Sequence, residues 1–413
     1  AVDLGAYLDQ LQETGTIQPF VPGKKDIPMQ FNLPQKLYGR TTDLLSLLSC
    51  FDAVCKGQPR VMMVTGRPGI GKSALVNEIH KPVAARRGAF ITGKYEQYRR
   101  DVPYSAMIQA FKGLTRQILS QSNDRINRWK MQLEKQLGSN AQVACKVIPD
   151  IELIMGPQPD VPELGPEETR NRFNDVVEKC ISVFATSDHP LVLFLDDLQW
   201  ADSASYDMIR NIVSSTWISH LFFIGAFRDD AIDGDHPLSI LLRGIEDLDI
   251  AVKTIYVTPL EKKHVSLLIQ DNLRSPESKS QALGELIHKK TGGNPFFVNQ
   301  FLKMLYDERF IRLDSNFEWQ WDAQKISDLK VTDNMVDLLV KKLNKLDAKT
   351  RQTLTICACI GNRFHPEMIA FLENQSVDST LEILRTAIQE GLIDGNETLY
   401  FYQHDRIQEA AYS

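Results

Sequence analysis

The feature that most constrains the fold is a glycine-rich segment, Gly66 to Ser73, with the sequence GRPGIGKS. An apolar run, Arg60 to Thr65, precedes it, and an amphipathic stretch that begins near Ala74 follows it. Because glycine adopts backbone conformations that other residues avoid, the chain can turn sharply here between a strand and a helix. A buried strand joined to a helix by such a turn is typical of a parallel β-sheet covered by helices. The motif therefore predicts an α/β fold.

The same segment predicts a binding site for phosphate groups. It fits the P-loop pattern G-x-x-x-x-G-K-S/T, in which inward-pointing backbone N–H groups and the positive end of the next helix attract an anion. Lys72 would reach the β- and γ-phosphates of a nucleotide, and the hydroxyl of Ser73 would bind Mg²⁺. The residues predicted to contact nucleotide here are Gly66, Pro68, Gly69, Ile70, Gly71, Lys72, Ser73 and Ala74. An ordinary glycine-rich turn is the alternative, and the flanking strand and helix argue against it.

Further apolar runs extend the predicted sheet. Ala89 to Thr92, Leu191 to Leu195 and Leu221 to Ala226 have the length and composition of buried strands. Apolar residues spaced for one helix face, from Phe173 to Phe184, lead into the third strand. We therefore predict that residues 34–258 form a P-loop nucleotide-binding domain, a parallel sheet flanked by helices.

Two acids, Asp196 and Asp197, directly follow the run Leu191 to Leu195. In a sheet that carries a P-loop, this strand end suits a carboxylate that holds Mg²⁺ and a neighbour that activates water. We expect Asp196 to hold the metal ion through water, and Asp197 to orient or deprotonate the attacking water. Acids at strand ends are often turn residues or helix caps, and the P-loop is what favours the catalytic interpretation.

A candidate sensor of the γ-phosphate follows the fourth predicted strand. That strand runs directly into Arg228, which places a fixed guanidinium beside the P-loop in a sheet of this kind. Arg228 is therefore grouped with Lys72 and Asp197 as a predicted catalytic residue. A solvated loop arginine is the alternative interpretation.

The rest of the chain gives weaker patterns. Residues 1–33 contain several prolines and are predicted to be a linker. Helical stripes replace the strand signal after Pro259, which predicts a helical lid over residues 259–330, with a small hairpin around Trp319 and Trp321. Residues 331–413 show helical stripes followed by two short apolar segments on either side of a turn, which predicts a winged-helix domain.

Several motifs together give the chain a resemblance to a known family. Beside the P-loop and Arg228, they are Leu37 to Arg40, Leu195 to Asp202, Thr291 to Phe297 and Phe401 to Gln408. Over nearly the whole chain they resemble the STAND branch of AAA+-related ATPases. More closely, they are similar to the ATPase segment of large signalling proteins that join an N-terminal Ser/Thr kinase domain to C-terminal sensor and histidine-kinase domains.

The resemblance implies ATP or ADP with Mg²⁺ and adds contacts outside the P-loop. Gly39 and Arg40 would flank the nucleotide. Pro295 would close over the adenine from the lid, and His404 would touch the β-phosphate of ADP from the winged helix. From the residues alone, Pro295 is a loop residue after two glycines, and His404 is a packed or exposed histidine.

Two positions depart from the family pattern. Thr41 stands where the family often has an acid, and Asp197 stands where typical AAA+ ATPases have Glu. Because Asp is shorter, we expect slow turnover. The leading interpretation is therefore an ATP-binding, slowly hydrolysing signalling switch, closed with ADP and open with ATP, that regulates attached or partner kinase and sensor domains. The alternatives are a DNA-binding regulator that uses the winged helix, and a scaffold that retains ADP without turnover.

Charge argues against the DNA-binding alternative. Charged residues of both signs are mixed, and the net charge of -6 gives no basic field that would concentrate nucleic acid. The candidate recognition stretch, Asp378 to Gly391, carries three acids and one arginine, so contacts to DNA phosphates would be repelled. We therefore expect no nucleic-acid partner.

Composition also bears on the location of the protein. The longest apolar runs are far shorter than the ~20 residues that cross a bilayer, so no membrane association is predicted. Six cysteines without a C-x-x-C pair indicate reduced core residues of a cytoplasmic protein. We expect both ends of the sequence to be cuts through a larger protein.

A homo-oligomer that forms with nucleotide is a further partner to consider. It would need an arginine that reaches a neighbouring subunit. The candidates are Arg99, Arg100, Arg170 and Arg172, and the sequence does not discriminate among them.

Overall fold

The computed structural model of the chain describes residues 36–97, 102–162, 165–232, 234–248, 250–314, 318–329, 342–395, 398–403 and 405–412. The chain divides into two compact units. The larger unit is Arg40–Thr258 together with Leu339–Ser413. The smaller unit is Pro259–Leu338 together with Ala1–Gly39.

A five-stranded parallel sheet lies at the centre of the larger unit. Its strands are β1 (Arg60–Thr65), β2 (Ala89–Lys94), β3 (Leu191–Asp196), β4 (Leu221–Phe227) and β5 (Val252–Tyr256), in the order β2-β3-β4-β1-β5. The strands β1, β3 and β4 are buried along almost their whole length, as strands covered on both faces must be. The predicted α/β fold with a parallel sheet is therefore confirmed.

Helices connect the strands of this sheet. The first three are α1 (Thr41–Cys55) before β1, and α2 (Lys72–Asn77) and α3 (His80–Ala85) between β1 and β2. Between β2 and β3 lie α4 (Ser105–Leu119), α5 (Asn123–Leu137), α6 (Ala141–Val147), α7 (Glu152–Met155) and α8 (Pro166–Phe184). The helix α9 (Ser203–Ser214) follows β3, and α10 (Pro237–Glu246) follows β4. The apolar stripe predicted from the sequence lies on α8, and its residues from Val176 to Ile181 include four that are buried in the core.

Close packing between β2 and α4 depends on Gly93. A Cβ atom at this position would lie 1.8 Å from the carbonyl oxygen of Ala106, which belongs to the backbone of α4. No side-chain rotation can relieve such a contact, so a residue without a side chain is needed here. The strand β2 thereby continues past Gly93 and ends at Lys94.

The smaller unit is helical and contains one small hairpin. Its elements are α11 (Lys262–Leu273), α12 (Glu277–Thr291), α13 (Pro295–Asp307), β6 (Ile311–Leu313), β7 (Trp319–Trp321) and α14 (Ala323–Asp328). The strands β6 and β7 are antiparallel. Trp319 is buried in the apolar core of this unit, and Trp321 packs partly buried against that core. The two tryptophans therefore pack in the hairpin, as expected from their alternation.

The last part of the larger unit combines helices with a small antiparallel sheet. Its elements are α15 (Ala348–Ile360), β8 (Arg363–Phe364), α16 (Pro366–Leu372), α17 (Val377–Gln389), β9 (Ile393–Gly395), β10 (Tyr400–Tyr402) and α18 (Asp405–Tyr412). The strand order is β8-β10-β9. We call residues 342–412 the C-terminal segment. Across the part of the chain that the structure describes, every helix is too short or too polar to span a bilayer.

Candidate functional site

The candidate site lies at the carboxyl ends of the parallel strands. The P-loop follows β1, and Arg228 follows β4. Asp196 is the last residue of β3 and Asp197 follows it, while Lys94 is the last residue of β2. Ligands of open parallel sheets bind at this edge, because the loops that leave the strands converge there. The structure thus brings together residues that are more than 100 positions apart in the sequence.

The glycines of the P-loop adopt backbone angles that favour glycine. The φ angles are 149° at Gly66, 75° at Gly69 and 99° at Gly71. A Cβ atom on Gly66 would lie 2.6 Å from the carbonyl oxygen of Val257, whereas a Cβ atom on Gly71 would meet nothing within 4 Å. Gly66 is therefore required by close packing. Gly71 is required only by its backbone angle, and its open side is the kind of cradle in which a phosphate fits.

Lys72 lies inside the P-loop. Its Nζ donates to the carbonyl oxygens of Gly66 at 2.7 Å and Arg67 at 3.2 Å. The residue is only 7% exposed. Burial lowers the pKa of Lys72, although the nearby Asp196 and Asp197 carboxylates act in the opposite direction. A buried ammonium held by neutral carbonyls is suited to exchange them for phosphate oxygens, which carry charge.

Ser73 and Asp196 form the candidate metal site. The Ser73 hydroxyl donates to Oδ2 of Asp196 at 2.6 Å, although β4 separates β1 from β3 in the sheet. The other carboxylate oxygen, Oδ1, accepts the backbone N–H of Asp197 at 2.9 Å. A hydroxyl beside a carboxylate is an all-oxygen donor set, which Mg²⁺ prefers. The residues present therefore fit the metal ion that the sequence predicts.

The carboxylate of Asp197 is held by three side chains. Gln199 donates to Oδ1 at 2.8 Å, Nζ of Lys94 lies 3.3 Å from Oδ2, and Nε of Arg228 lies 3.6 Å from Oδ1. Asp197 is 5% exposed. Its backbone is left-handed, with φ 55° and ψ 45°. The side chain is therefore fixed in one direction by a turn and two ion pairs.

Arg228 is buried and connects two parts of the larger unit. Its backbone N–H donates to Oε1 of Gln199 at 3.1 Å. Its guanidinium reaches Asp197 through Nε and Oε1 of Glu409 through Nη1, the latter at 3.3 Å. Since Glu409 lies on α18, Arg228 contacts the C-terminal segment as well as the end of β3. The structure does not place it as a solvated loop residue.

Arg40 lies against the P-loop without entering it. Its guanidinium donates to the carbonyl oxygens of Thr258 at 2.6 Å and Ile70 at 3.3 Å. Burial is the main cause that lowers the pKa of Arg40. These bonds fix the loop backbone around Ile70, whose side chain is buried.

Comparison with known proteins agrees with this geometry. Residues 36–224 match the model of the AAA ATPase domain family. They form an AAA ATPase domain. The resemblance to AAA+-related ATPases that the sequence motifs indicate is thereby confirmed.

The relatives of the AAA domain are much longer proteins. Hybrid signal transduction histidine kinase G of Dictyostelium discoideum is 29% identical over 91% of this chain and 13% of its own length. The peroxide stress-activated histidine kinase mak3 of Schizosaccharomyces pombe is 19% identical over 84% of this chain and 16% of its own length. Among solved structures, a STAND protein with a tetratricopeptide repeat sensor from Pyrococcus horikoshii has a TM-score of 0.46 and 14% identity, and the match covers 93% of this chain and 44% of that one. The chain thus spans a small part of each of the two kinases.

Three predicted nucleotide contacts lie outside the larger unit or outside the described residues. Gly39 and Pro295 belong to the smaller unit, where Pro295 is the first residue of α13. Asn294 caps that helix through the N–H groups of Phe296 and Phe297. His404 lies outside the described residues. The nucleotide contacts predicted for Gly39, Pro295 and His404 stay predictions.

Of the four arginines that are candidates for a contact with a neighbouring subunit, two lie among the described residues. Arg99 and Arg100 lie outside the described residues. Arg170 and Arg172 lie on α8, and Arg172 donates to the carbonyl oxygen of Pro162 at 2.9 Å.

Three site residues of the AAA domain and C-terminal segment were not predicted from the sequence: Lys94, Gln199 and Glu409. Lys94 could have been found, because the predicted second strand ends at Thr92 and an extension by two residues reaches the edge where the site lies. In the observed register Lys94 pairs with Asp196 on the neighbouring strand. Glu409 gives no local signal, because only the packing of α18 brings it to Arg228.

Proposed function

We propose that this chain binds ATP and hydrolyses it slowly, as a signalling switch that is closed with ADP and open with ATP. The observation that carries the proposal is that Lys72, Ser73 and Asp196 lie together at the carboxyl edge of the sheet. Oγ of Ser73 lies 2.6 Å from Oδ2 of Asp196. A phosphate-binding cation beside a metal-binding pair is what nucleotide hydrolysis by positioning and charge stabilisation requires.

Each residue at this edge has a distinct task in the proposal. The backbone N–H groups of Gly69 to Ser73 bind phosphate oxygens, and Lys72 leaves its carbonyl partners to bind the β- and γ-phosphates. Mg²⁺, held by Ser73 and through water by Asp196, would offset the negative charge of these phosphates. Arg228 binds the γ-phosphate, and Asp197 orients or deprotonates the attacking water.

The surroundings of Asp197 support slow turnover. A general base must present a free lone pair to water, whereas this carboxylate is bound by Gln199 and ion-paired with Lys94 and Arg228. Hydrolysis would require at least one of these contacts to be released.

The C-terminal segment supports the switch. Asn362, Tyr402 and Gln403 line the same cleft as Gly71 and Lys72. In the proposal, this segment of helices followed by a hairpin belongs to the winged-helix domain of residues 331–413, and residues 259–330 form the lid. Since the segment borders the nucleotide cleft, a change from ADP to ATP can alter its packing.

Attached domains are the proposed receivers of the signal. The two curated relatives are histidine kinases, and this chain matches 13% and 16% of their lengths. We therefore propose kinase and sensor domains as the parts that the switch regulates.

The test is single-turnover phosphate release together with identification of the nucleotide released on denaturation. Asp197→Asn is expected to keep ATP binding and to slow phosphate release by about 100-fold, the usual contribution of a general base. Asp207→Asn is the matched control, because Asp207 is an exposed acid on α9. A native protein that releases one equivalent of ADP on denaturation but no phosphate in the assay would be a scaffold, and the ATPase proposal would be wrong.

A further inference from the structure

Arg228 borders two spaces at once. On one side it lines the cleft of the P-loop, together with Gly69, Lys72 and Asp196. On the other side it lines a cavity of about 30 Å³ that it shares with Glu409. One guanidinium therefore faces both the nucleotide cleft and the C-terminal segment.

Glu409 and Arg228 are far apart in the sequence and are brought into contact by the fold. The two residues are 181 positions apart, and Oε1 of Glu409 lies 3.3 Å from Nη1 of Arg228. The side chains are 28% and 8% exposed, so solvent screens their attraction less than that of a surface pair. The helix that carries Glu409 is fixed to α15, because Nε2 of Gln408 donates to the carbonyl oxygen of Ala358 at 3.0 Å. The ion pair therefore holds the C-terminal segment against the sheet.

Arg228 already pairs with carboxylates on both of its sides. Of the described residues that line the cleft, Lys72, Lys94 and Arg228 carry positive charge, and Asp196 and Asp197 carry negative charge. Glu409 supplies a third carboxylate next to Arg228. Lys72 can serve a diphosphate without disturbing this arrangement. A γ-phosphate would have to compete with Glu409 for Arg228 and would be repelled by the Glu409 carboxylate.

We infer that Glu409 is a positioning residue that makes the closed state prefer ADP, because its carboxylate occupies the guanidinium that the γ-phosphate needs. The inference rests on the proposed function and adds the residue that discriminates between the two nucleotides. ATP binding and the Glu409 contact oppose each other, so ATP favours release of the C-terminal segment.

The experiment measures dissociation constants for Mg²⁺-ADP and for the Mg²⁺ complex of adenosine 5′-(β,γ-imido)triphosphate on the full 413-residue chain. Glu409→Gln is expected to lower the ratio of the triphosphate dissociation constant to the ADP dissociation constant by about tenfold, with ADP binding changed much less. The two ligands differ in one charge contact, that of the γ-phosphate with Arg228. Glu382→Gln is the matched control, since it removes an exposed carboxylate from the same segment. The control should leave the ratio unchanged.

Glu409→Asp is the second variant in case Glu409→Gln does not fold. It keeps the charge but is one methylene shorter, so it should shift the ratio in the same direction by a smaller factor. A native protein that binds both nucleotides, with the same ratio in the Glu409 variants as in Glu382→Gln, would overturn the inference alone. A native protein that binds neither nucleotide would overturn the proposed function, and the inference with it.

Discussion

Replacement of Lys72 by methionine tests the central contact of the site. Methionine keeps an unbranched chain of similar length but has no charge and donates no hydrogen bond, so the P-loop should keep its shape. Lys72 is buried, and its ammonium donates hydrogen bonds to the carbonyl oxygens of Gly66 and Arg67. Methionine fills the same space without these hydrogen bonds. Loss of the ammonium therefore removes a contact to phosphate without opening a large cavity.

The size of the effect follows from the kind of contact. A hydrogen bond between charged groups contributes about 1.5 to 3 kcal/mol, which corresponds to a loss of about 10- to 150-fold in affinity. At a nucleotide concentration about 1,000 times the native dissociation constant, the native protein gains about 4 kcal/mol of stability from binding. A variant that binds 100-fold more weakly gains only about 1.4 kcal/mol under the same conditions.

The assay is thermal unfolding with and without Mg²⁺-ATP. At about 2 °C for each kcal/mol, the melting shift should fall from about 8 °C in the native protein to about 3 °C in Lys72→Met. The nucleotide-free variant should melt no lower than the native protein, because burial disfavours the charge that the variant removes. A melting shift of equal size in both proteins would mean that Lys72 does not contact the phosphates, and the assignment of the P-loop would be wrong.

Two further predictions concern protonation and packing. Burial lowers the pKa of Lys72 below its ordinary value of 10.5, so ATP affinity should fall as the pH rises through the lowered pKa. Between this lowered pKa and the pKa of Lys72 in the unfolded chain, the stability of the nucleotide-free protein should rise with pH. In that window the unfolded chain binds more protons than the folded one. Titration calorimetry and denaturant unfolding across this window should show the two opposite trends, and Lys72→Met should remove both. Gly93→Ala should destabilise the larger unit by about 3 kcal/mol, since its Cβ would lie 1.8 Å from a backbone oxygen. Gly113→Ala, on α4 with nothing near its Cβ, should instead stabilise it by about 0.5 to 1 kcal/mol, and equal effects of the two changes on the denaturation midpoint would refute the packing argument.

The sequence was most informative where local pattern and topology coincide. The P-loop, the acids after β3 and the arginine after β4 could be predicted together, because the ends of parallel strands meet at one edge of a sheet. This rule places Ser73 and Asp196 at the same edge, whereas the hydrogen bond between them also depends on the strand order, in which β4 alone separates β1 from β3.

The sheet itself was predicted incompletely. Its fifth strand, β5, was not recognised in the sequence, because only Ile255 among its residues is buried. Because most of its side chains are exposed, the apolar signal that marks β1, β3 and β4 is weak in β5, whereas the other edge strand, β2, is mostly buried and was predicted.

Contacts between distant parts of the chain could not be predicted from patterns in the sequence. The pairing of Arg228 with Glu409 depends on how α18 packs, and no spacing rule connects two residues 181 positions apart. The nucleotide contacts inferred from family resemblance for Pro295 and His404 are of the same kind and stay predictions.

The left-handed turn at position 197 also bears on which amino acids the site can accept. Asp197 has φ 55°, a region that Asp and Asn enter several-fold more often than most other residues, because a short polar side chain can bond to nearby backbone. A longer acid gains no such compensation and would move its carboxylate relative to Lys94 and Arg228. The choice of Asp over Glu can therefore be a consequence of backbone shape, and selection for faster hydrolysis would have to reshape this turn before a glutamate could replace it.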